Sequence, residues 1–131
     1  MRIATKFHAT VLLAFAVGLT SGGILHAQRP KAPRAFLIAE IDVKDAALYQ
    51  TYAAKVPATL APYHAEYLVR GGRPKSLEGA PPPARVVVLQ FDDLASAQSW
   101  YDSPAYSAIK TIRHRAADTR SFIVEGVSTA P

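Results

Sequence analysis

The sequence predicts one α+β domain, in which a four-stranded antiparallel sheet carries its helices on one face. Three observations support this prediction. Strand and helix patterns alternate along the chain in the order βαββαβ, which is the split βαβ or ferredoxin-like arrangement. Two short runs, AFLIAEIDV and RVVVLQF, are apolar at nearly every position, as is typical of central strands. A chain of 131 residues, 50% of them hydrophobic, supplies one core rather than two.

The first strand and the first helix are predicted between residues 35 and 60. Residues 35–43, AFLIAEIDV, are apolar on both faces, which predicts a central strand covered on both sides. Asp45 can cap the helix that follows. Within that helix, apolar residues recur at helical spacing as Leu48, Tyr52, Val56 and Leu60. Pro57 lies inside the pattern and predicts a kink, or a break into two short helices, near Val56.

The middle of the chain is predicted to form extended segments around a glycine pair. Residues 65–70 and 73–78 flank the glycines at 71–72, which permit positive φ and therefore a turn or a bulge. Pro74 marks the second segment as an edge. After three consecutive prolines, residues 85–91, RVVVLQF, predict a second central strand.

Residues 99–115 hold the densest set of groups that could recognise a ligand. These groups are Trp100, Tyr101, Asp102, Tyr106, Lys110, Arg113 and Arg115. Leu94, Ala97 and the aromatic pair at 100–101 predict a short helix. Ser103 suits an N-cap and Pro104 the first position of the next helix, in which Tyr106 is expected to face the core and Arg113 the other side. A last strand is predicted over residues 120–127.

The N-terminus has the layout of a signal peptide. Arg2 and Lys6 precede an apolar run over residues 9–25, and the small Ala27 suits the position before a cleavage site. The alternative is an uncleaved membrane anchor, but glycines and polar residues leave the run shorter than the ~20 apolar residues of a membrane span. We therefore predict a periplasmic or secreted protein that is cleaved after Ala27 and has no stable membrane anchor. Residues 28–33 are then an extended leader, residues 34–127 the domain and residues 128–131 a tail.

Composition excludes several kinds of site. The chain contains no cysteine, which excludes disulfides, thiolate metal sites and a cysteine nucleophile. His64 and His114 do not have the spacing of a metal motif, and no metal or cofactor is predicted. Loss of Arg2 and Lys6 with the signal peptide lowers the net charge from +5 to +3. Because no run of basic residues could follow a phosphate backbone, nucleic acid is not an expected partner.

Six motifs resemble the bacterial family called domain of unknown function 1330. In chain order they are LIAEIDVKD, YLVRGG, LEG, VVLQF, WYDSPAYSAIKTIRHRAAD and IVEGV, between residues 35 and 127. The resemblance implies a dimeric α-β barrel, in which the ferredoxin-like sheets of two subunits form one barrel, and hence a homodimer. It also implies functional positions at Glu78, Gly79, the DSPAY segment and Arg113, but no general activity. Gln90 stands where the family commonly has glutamate, which disfavours acid–base chemistry there.

Three carboxylates are candidates for a catalytic role, and each has a structural alternative. The first and third strands are expected to be parallel neighbours, which places Glu40 beside Gln90. Glu40 is then either a buried general acid or base or the partner of Gln90 in a structural hydrogen bond. Glu78 follows a turn and could face the site or bind backbone donors. Asp102 could act chemically, cap the helix dipole or form an ion pair with Arg113. The ion pair is favoured over a clamp in which Arg113 binds an anionic ligand.

Two functions from different classes follow from these patterns. The first is an exported homodimer that binds a small aromatic or carboxylate-bearing molecule through Tyr52, Trp100, Tyr106 and Arg113. The alternative is a cofactor-independent oxygenase or isomerase acting on a small organic substrate, by analogy with other dimeric α-β barrels. Whether the protein is an enzyme is therefore left open. The sheet face without helices must be exposed to solvent, cover a ligand or pack against a second subunit. Dimerisation could be its only role.

Overall fold

The computed structural model describes residues 31–128. Within this range the chain forms, in order, β1 (Ala35–Val43), α1 (Ala46–Leu60), β2 (Glu66–Gly72), β3 (Arg85–Phe91), α2 (Leu94–Tyr101), α3 (Pro104–Ala116) and β4 (Ala117–Glu125). A 3₁₀ turn, Ala61–Tyr63, extends α1. The predicted signal peptide, the first three residues of the leader and residues 129–131 of the tail lie outside the described residues.

The four strands form one antiparallel sheet in the order β2-β3-β1-β4. Each neighbouring pair is antiparallel, and the helices α1, α2 and α3 complete an α+β, ferredoxin-like fold. The predicted fold class is therefore confirmed.

The two faces of the sheet differ in burial, as β1 shows. Ala35, Leu37, Ala39 and Ile41 are buried and belong to the core, whereas the residues between them are partly exposed. The strand is thus covered on one side within one chain, because all three helices lie on that side. We call the other side the open face. By the strand register it carries the apolar side chains of Phe36, Ile38, Val88, Phe122 and Val124.

The expectation that the first and third strands run parallel, with Glu40 beside Gln90, is wrong. A helical crossover makes β2 parallel to β1, and the return to β3 reverses the direction, so β1 and β3 are antiparallel neighbours. Gln90 is therefore opposite Phe36, whereas Glu40 is opposite Val86. The two polar residues are four positions apart, about 13 Å along the strands. Glu40 instead accepts a hydrogen bond of 2.7 Å from Nε of Arg120.

The glycine pair lies at an irregularity at the end of β2, as predicted. The pairing of β2 with β3 shifts between Arg70 and Gly72, and Gly71 has φ of +74°. The prediction of a further strand over residues 73–78 is wrong, since this segment is part of the irregular connection to β3. Pro74 lacks an N–H for strand pairing, and the left-handed Gly71 has already turned the chain.

Side-chain caps define where the helices begin. Asp45 accepts a hydrogen bond from the backbone N–H of Leu48 at the start of α1, and Ser103 accepts one from Tyr106 at the start of α3. Both predicted caps are confirmed, with Pro104 as the first residue of α3. The helix α1 continues through Pro57, so the alternative of two short helices is wrong. Within residues 31–128, no helix combines the length and apolar character needed to cross a bilayer.

Candidate functional site

A narrow cavity lies between the sheet and the helices. Its volume is about 40 Å³, which is room for a few water molecules or one small polar group. Leu37, Ala39 and Ile41 of β1 form part of its floor. The structure brings all four predicted ligand-binding residues to this cavity, and they are Tyr52, Trp100, Tyr106 and Arg113.

Tyr52 of α1 and Tyr106 of α3 meet in the wall of the cavity. Their hydroxyl oxygens are 3.0 Å apart and buried. Burial raises the pKa of Tyr52 above its ordinary value, and Tyr106 beside it adds to this effect. Burial also raises the pKa of Tyr106, although the Arg113 guanidinium opposes this change. Both hydroxyls therefore stay protonated at neutral pH and serve the cavity as hydrogen-bonding groups rather than as bases.

Removal of either hydroxyl is expected to cost more than removal of both. Tyr106→Phe leaves the buried Tyr52 hydroxyl without its partner, which should lower the free energy of unfolding by about 1–3 kcal/mol. Tyr52→Phe should lower the free energy of unfolding by less than Tyr106→Phe does, because the remaining Tyr106 hydroxyl still has the Arg113 guanidinium beside it. Urea denaturation of both single variants and the double variant measures this coupling. Two single losses that simply add in the double variant would contradict it.

Trp100 forms the most closely packed part of the wall. Its ring centre is 4.0 Å from that of Tyr106 and 5.5 Å from that of Phe91. Its Nε1 donates a hydrogen bond of 3.1 Å to Oγ1 of Thr59, so the indole N–H is satisfied within the protein. Trp100 therefore presents an apolar ring surface to the cavity.

Arg113 lies on the buried side of α3, contrary to expectation. It follows Tyr106 by seven residues, or two helical turns, and so shares its face. Arg113 is only 4% exposed. One of its terminal nitrogens, Nη2, donates to Nε2 of His114 at 3.2 Å, while its buried Nε has no hydrogen-bond partner among the described residues. The pKa of His114 is lowered by partial burial and by the charges of Arg113 and Lys110, consistent with a neutral ring that accepts this bond.

The favoured ion pair between Asp102 and Arg113 is wrong. Asp102 ends α2 on the surface, where its carboxylate accepts a hydrogen bond of 2.6 Å from Gln98. It also does not cap α3, because Ser103 does. Among residues 31–128, the ion pairs are Lys44–Asp42, Lys44–Asp118 and Arg120–Glu40. The buried guanidinium of Arg113 therefore has no carboxylate partner in this part of the chain.

The three catalytic candidates lie away from the cavity. Glu40 is on the open face with Arg120, Glu78 is exposed in the connection between β2 and β3, and Asp102 is at the surface end of α2. None of them lines the cavity, and a catalytic role for each stays a prediction. Within the described residues, no group of three or more histidine and carboxylate side chains could hold a metal ion.

Sequence reasoning missed Arg85, which also lines the cavity. The signal was strand alternation, because Arg85 shares its face of β3 with the buried Leu89 and Phe91. Its guanidinium carbon is 5.1 Å from the centre of the Tyr49 ring, and its Nε is buried without a partner among residues 31–128. In the part of the chain that the structure describes, the lining thus includes three arginines, the third being Arg70, and no carboxylate.

A wider groove adjoins the cavity on the side of α2 and β4. Its volume is about 380 Å³. The residues that line it are Leu37, Leu94, Gln98, Tyr101, Ser121, Phe122 and Ile123. Three of these, Leu37, Tyr101 and Ser121, also line the cavity, so the two spaces meet at Tyr101. The ammonium of Lys110 is 4.0 Å from the centre of the Tyr101 ring and donates to its backbone oxygen at 3.3 Å.

Several solved structures share this fold at low sequence identity. A protein of unknown function from Rhodopseudomonas palustris is 14% identical, with a TM-score of 0.60 over 72% of this chain and 83% of that one. SnoaB, a cofactor-independent oxygenase from Streptomyces nogalater, is 13% identical, with a TM-score of 0.54 over 76% of this chain and 99% of SnoaB. A dimeric ferredoxin-like protein of unknown function from Thermobifida fusca is 15% identical, with a TM-score of 0.51 over 75% of this chain and 95% of that one. Likeness at this level of identity shows the fold alone.

The sequence itself identifies the family. A comparison with curated proteins finds no match. The family model described as domain of unknown function, DUF1330, matches residues 34–127. This match covers most of the chain and includes every strand and helix described above, and the resemblance found in the sequence motifs is thereby confirmed. The chain belongs to the DUF1330 family.

Proposed function

We propose that the protein is an exported homodimer that binds a small aromatic or carboxylate-bearing molecule in the cavity lined by Tyr52, Trp100, Tyr106 and Arg113. The observation that carries this proposal is the environment of Arg113, which is only 4% exposed. Among the described residues its Nε has no hydrogen-bond partner and no carboxylate lines the cavity. A buried charge without a counter-charge costs several kcal/mol. An anionic group in the cavity would offset this cost, and the rings of Trp100 and Tyr106 would contact the part of the ligand next to that group.

The homodimer rests on the open face of the sheet. Phe122 and Val124 are 45% and 44% exposed there within one chain, next to Phe36 and Ile38 in the strand register. An apolar patch of this kind marks an interaction surface, and a second copy covers it by symmetry. The similar protein from Thermobifida fusca is described as dimeric, which supports the same assembly here. The cavity lies on the opposite side of the sheet, so dimerisation through the open face leaves it free.

A native mass spectrum of the protein purified from the periplasm without denaturation tests the proposal. We expect a dimer of chains that lack residues 1–27 and carry a bound small molecule, because the N-terminus has the charge and apolar pattern of a cleaved signal. Arg113→Ala and Tyr106→Phe should each reduce the bound fraction. A bare monomer with its first 27 residues intact would contradict export and assembly, and a dimer without a bound molecule would contradict ligand binding in the cavity.

The likeness to SnoaB provides a second candidate, a cofactor-independent oxygenase or isomerase. The cavity argues against it, because within residues 31–128 neither a carboxylate nor a histidine that could act as a base lines it, and the two tyrosine hydroxyls are protonated. Oxygen consumption with the molecule recovered from the protein separates the two functions. Turnover that falls by orders of magnitude in Glu40→Gln or Glu78→Gln, while binding survives, would favour the enzyme. Absence of turnover in every variant would favour the binding protein.

A further inference from the structure

We propose that Arg85 and Arg113 together hold one carboxylate of the bound molecule, and that the groove between α2 and β4 holds its apolar body. This inference rests on the proposed binding function and deepens it, since it names the ligand as a small organic acid with one apolar end. Four observations support it, and they concern the position of the two arginines, their missing partners, the backbone around Arg85 and the groove.

The two arginines come to the same end of the sheet. Arg85 is opposite Ile41 near the end of β1. Arg113 is in the last turn of α3, and the final carbonyl of that helix, on Ala116, accepts hydrogen bonds from the N–H groups of Lys44 and Asp45, just after β1. Both side chains line the cavity. The fold therefore aims two guanidinium groups from different elements into one small space.

Neither guanidinium group has a counter-charge among the described residues, although Nη2 of Arg113 donates to His114. The Nε atoms of Arg85 and Arg113 are buried without a hydrogen-bond partner among residues 31–128, and none of the ion pairs in this range includes either residue. Guanidinium groups bind carboxylates through paired N–H donors. The cavity volume of about 40 Å³ suits a carboxylate head better than a whole aromatic molecule, whose sites are typically about 300–1,000 Å³.

The backbone is shaped to hold the guanidinium of Arg85 in place. Gly71 has φ of +74°, and a Cβ atom at this position would lie 2.7 Å from the guanidinium carbon of Arg85. The absence of a side chain at Gly71 leaves the space that the guanidinium occupies. On its other side the group faces the Tyr49 ring at 5.1 Å. The guanidinium of Arg85 therefore lies between a glycine and an aromatic ring, and its Nε is without a partner among residues 31–128.

The groove supplies the room that the cavity lacks. Leu94 and Ile123 give it apolar walls, and it meets the cavity at Tyr101. Its volume of about 380 Å³ is within the range of small-molecule sites. A molecule with a carboxylate at the arginines and a ring in the groove passes Tyr101, which makes this residue the boundary between the polar and apolar parts of the site.

The test uses 4-phenylbutanoate and its neutral amide, 4-phenylbutanamide, as a pair of probes of equal shape. Isothermal titration calorimetry of the mature dimer should show that the acid binds at least tenfold more tightly than the amide. Arg85→Met and Arg113→Met should each weaken binding of the acid at least tenfold and leave the weak binding of the amide unchanged. Arg73→Met removes the same charge from the exposed connection before β3 and should change neither affinity.

A second readout distinguishes ligand binding from a structural role. Methionine keeps the apolar stem of arginine and removes a buried charge that has no counter-charge among residues 31–128, and an uncompensated buried charge is costly. In the absence of ligand, Arg113→Met should therefore unfold at the same or a higher urea concentration than the wild type. Unfolding at a clearly lower urea concentration would show that Arg113 stabilises the fold, and it would overturn the proposed role of Arg113 in binding the carboxylate.

Failure of the clamp and failure of the proposed function give different results. Equal binding of acid and amide, or a co-purifying molecule without an acidic group, would overturn the carboxylate clamp and leave ligand binding intact. A wild-type dimer that binds neither probe and carries no co-purifying molecule would overturn the proposed function, and the clamp with it.

Discussion

Replacement of Trp100 by alanine is expected to lower the free energy of unfolding by about 3–5 kcal/mol, the usual range for loss of a fully buried large aromatic side chain. The indole is 1% exposed and has close ring contacts with Tyr106 and Phe91. Its loss leaves a cavity between α1, α2 and the sheet, and Oγ1 of Thr59 loses its donor. Because proteins of this kind are typically stable by only about 5–15 kcal/mol, this loss is a large fraction of the total stability.

Urea denaturation followed by far-UV circular dichroism measures this change, because Trp100 is the single tryptophan of the chain and its fluorescence disappears with it. Leu94→Ala is the matched control, since Leu94 begins the same helix and is 42% exposed. We expect it to cost less than about 1 kcal/mol, as surface substitutions usually do. Similar losses in the two variants would contradict the placement of Trp100 at the centre of the core.

The strands and helices could be predicted because each depends on local chemistry. Asp45 and Ser103 are good N-caps wherever a helix follows, and Pro104 fits a first helical position in any fold. The segment 73–78 was predicted wrongly because its strand propensity is a local property, whereas its pairing depends on Gly71. That glycine takes positive φ and turns the chain before a second strand can form.

The residues of the site were predictable to the extent that they lie on one regular element. Tyr106 and Trp100 follow from the aromatic pattern of residues 99–115, and spacing by seven could have placed Arg113 beside Tyr106. Arg85 was missed because an arginine at the start of an apolar strand is usually at the surface. Its partial burial depends on Gly71 and Tyr49, which come from other elements. Contacts of this kind are set by tertiary packing and leave no periodic signal.

The direction of β3 shows why the electrostatic predictions were less successful. Glu40 and Gln90 were paired on the assumption of parallel strands, and an error in direction moves such a pair about 13 Å apart. The predicted ion pair between Asp102 and Arg113 is wrong for a related reason. Asp102 ends α2 at the surface, whereas Arg113 lies on the buried side of α3. Charge pairs between elements depend on the fold as a whole, so composition alone cannot assign them.

A glutamate in place of Phe122 is expected to convert the proposed dimer to a monomer. Phe122 is opposite Ile38, which is opposite Val88, so these three side chains form a row across the open face. In the dimer the new carboxylate would be buried against the partner's apolar face, which costs several kcal/mol when no counter-charge is present. Since each 1.4 kcal/mol is a factor of ten in Kd, the dimer should weaken by about a hundredfold or more. Phe122 is 45% exposed within one chain, so the monomer should remain folded.

Sedimentation velocity over a range of protein concentrations measures the change in assembly, and circular dichroism checks the fold of the variant. Leu77→Glu is the matched control, because Leu77 is 86% exposed in the connection between β2 and β3, where the same change should leave the dimer intact. Phe122 also lines the groove beside α2, so the readout of this variant is its assembly and not its affinity for a ligand. A variant that dimerises as tightly as the wild type would show that the subunits meet elsewhere, and the apolar row of the open face would then need another partner.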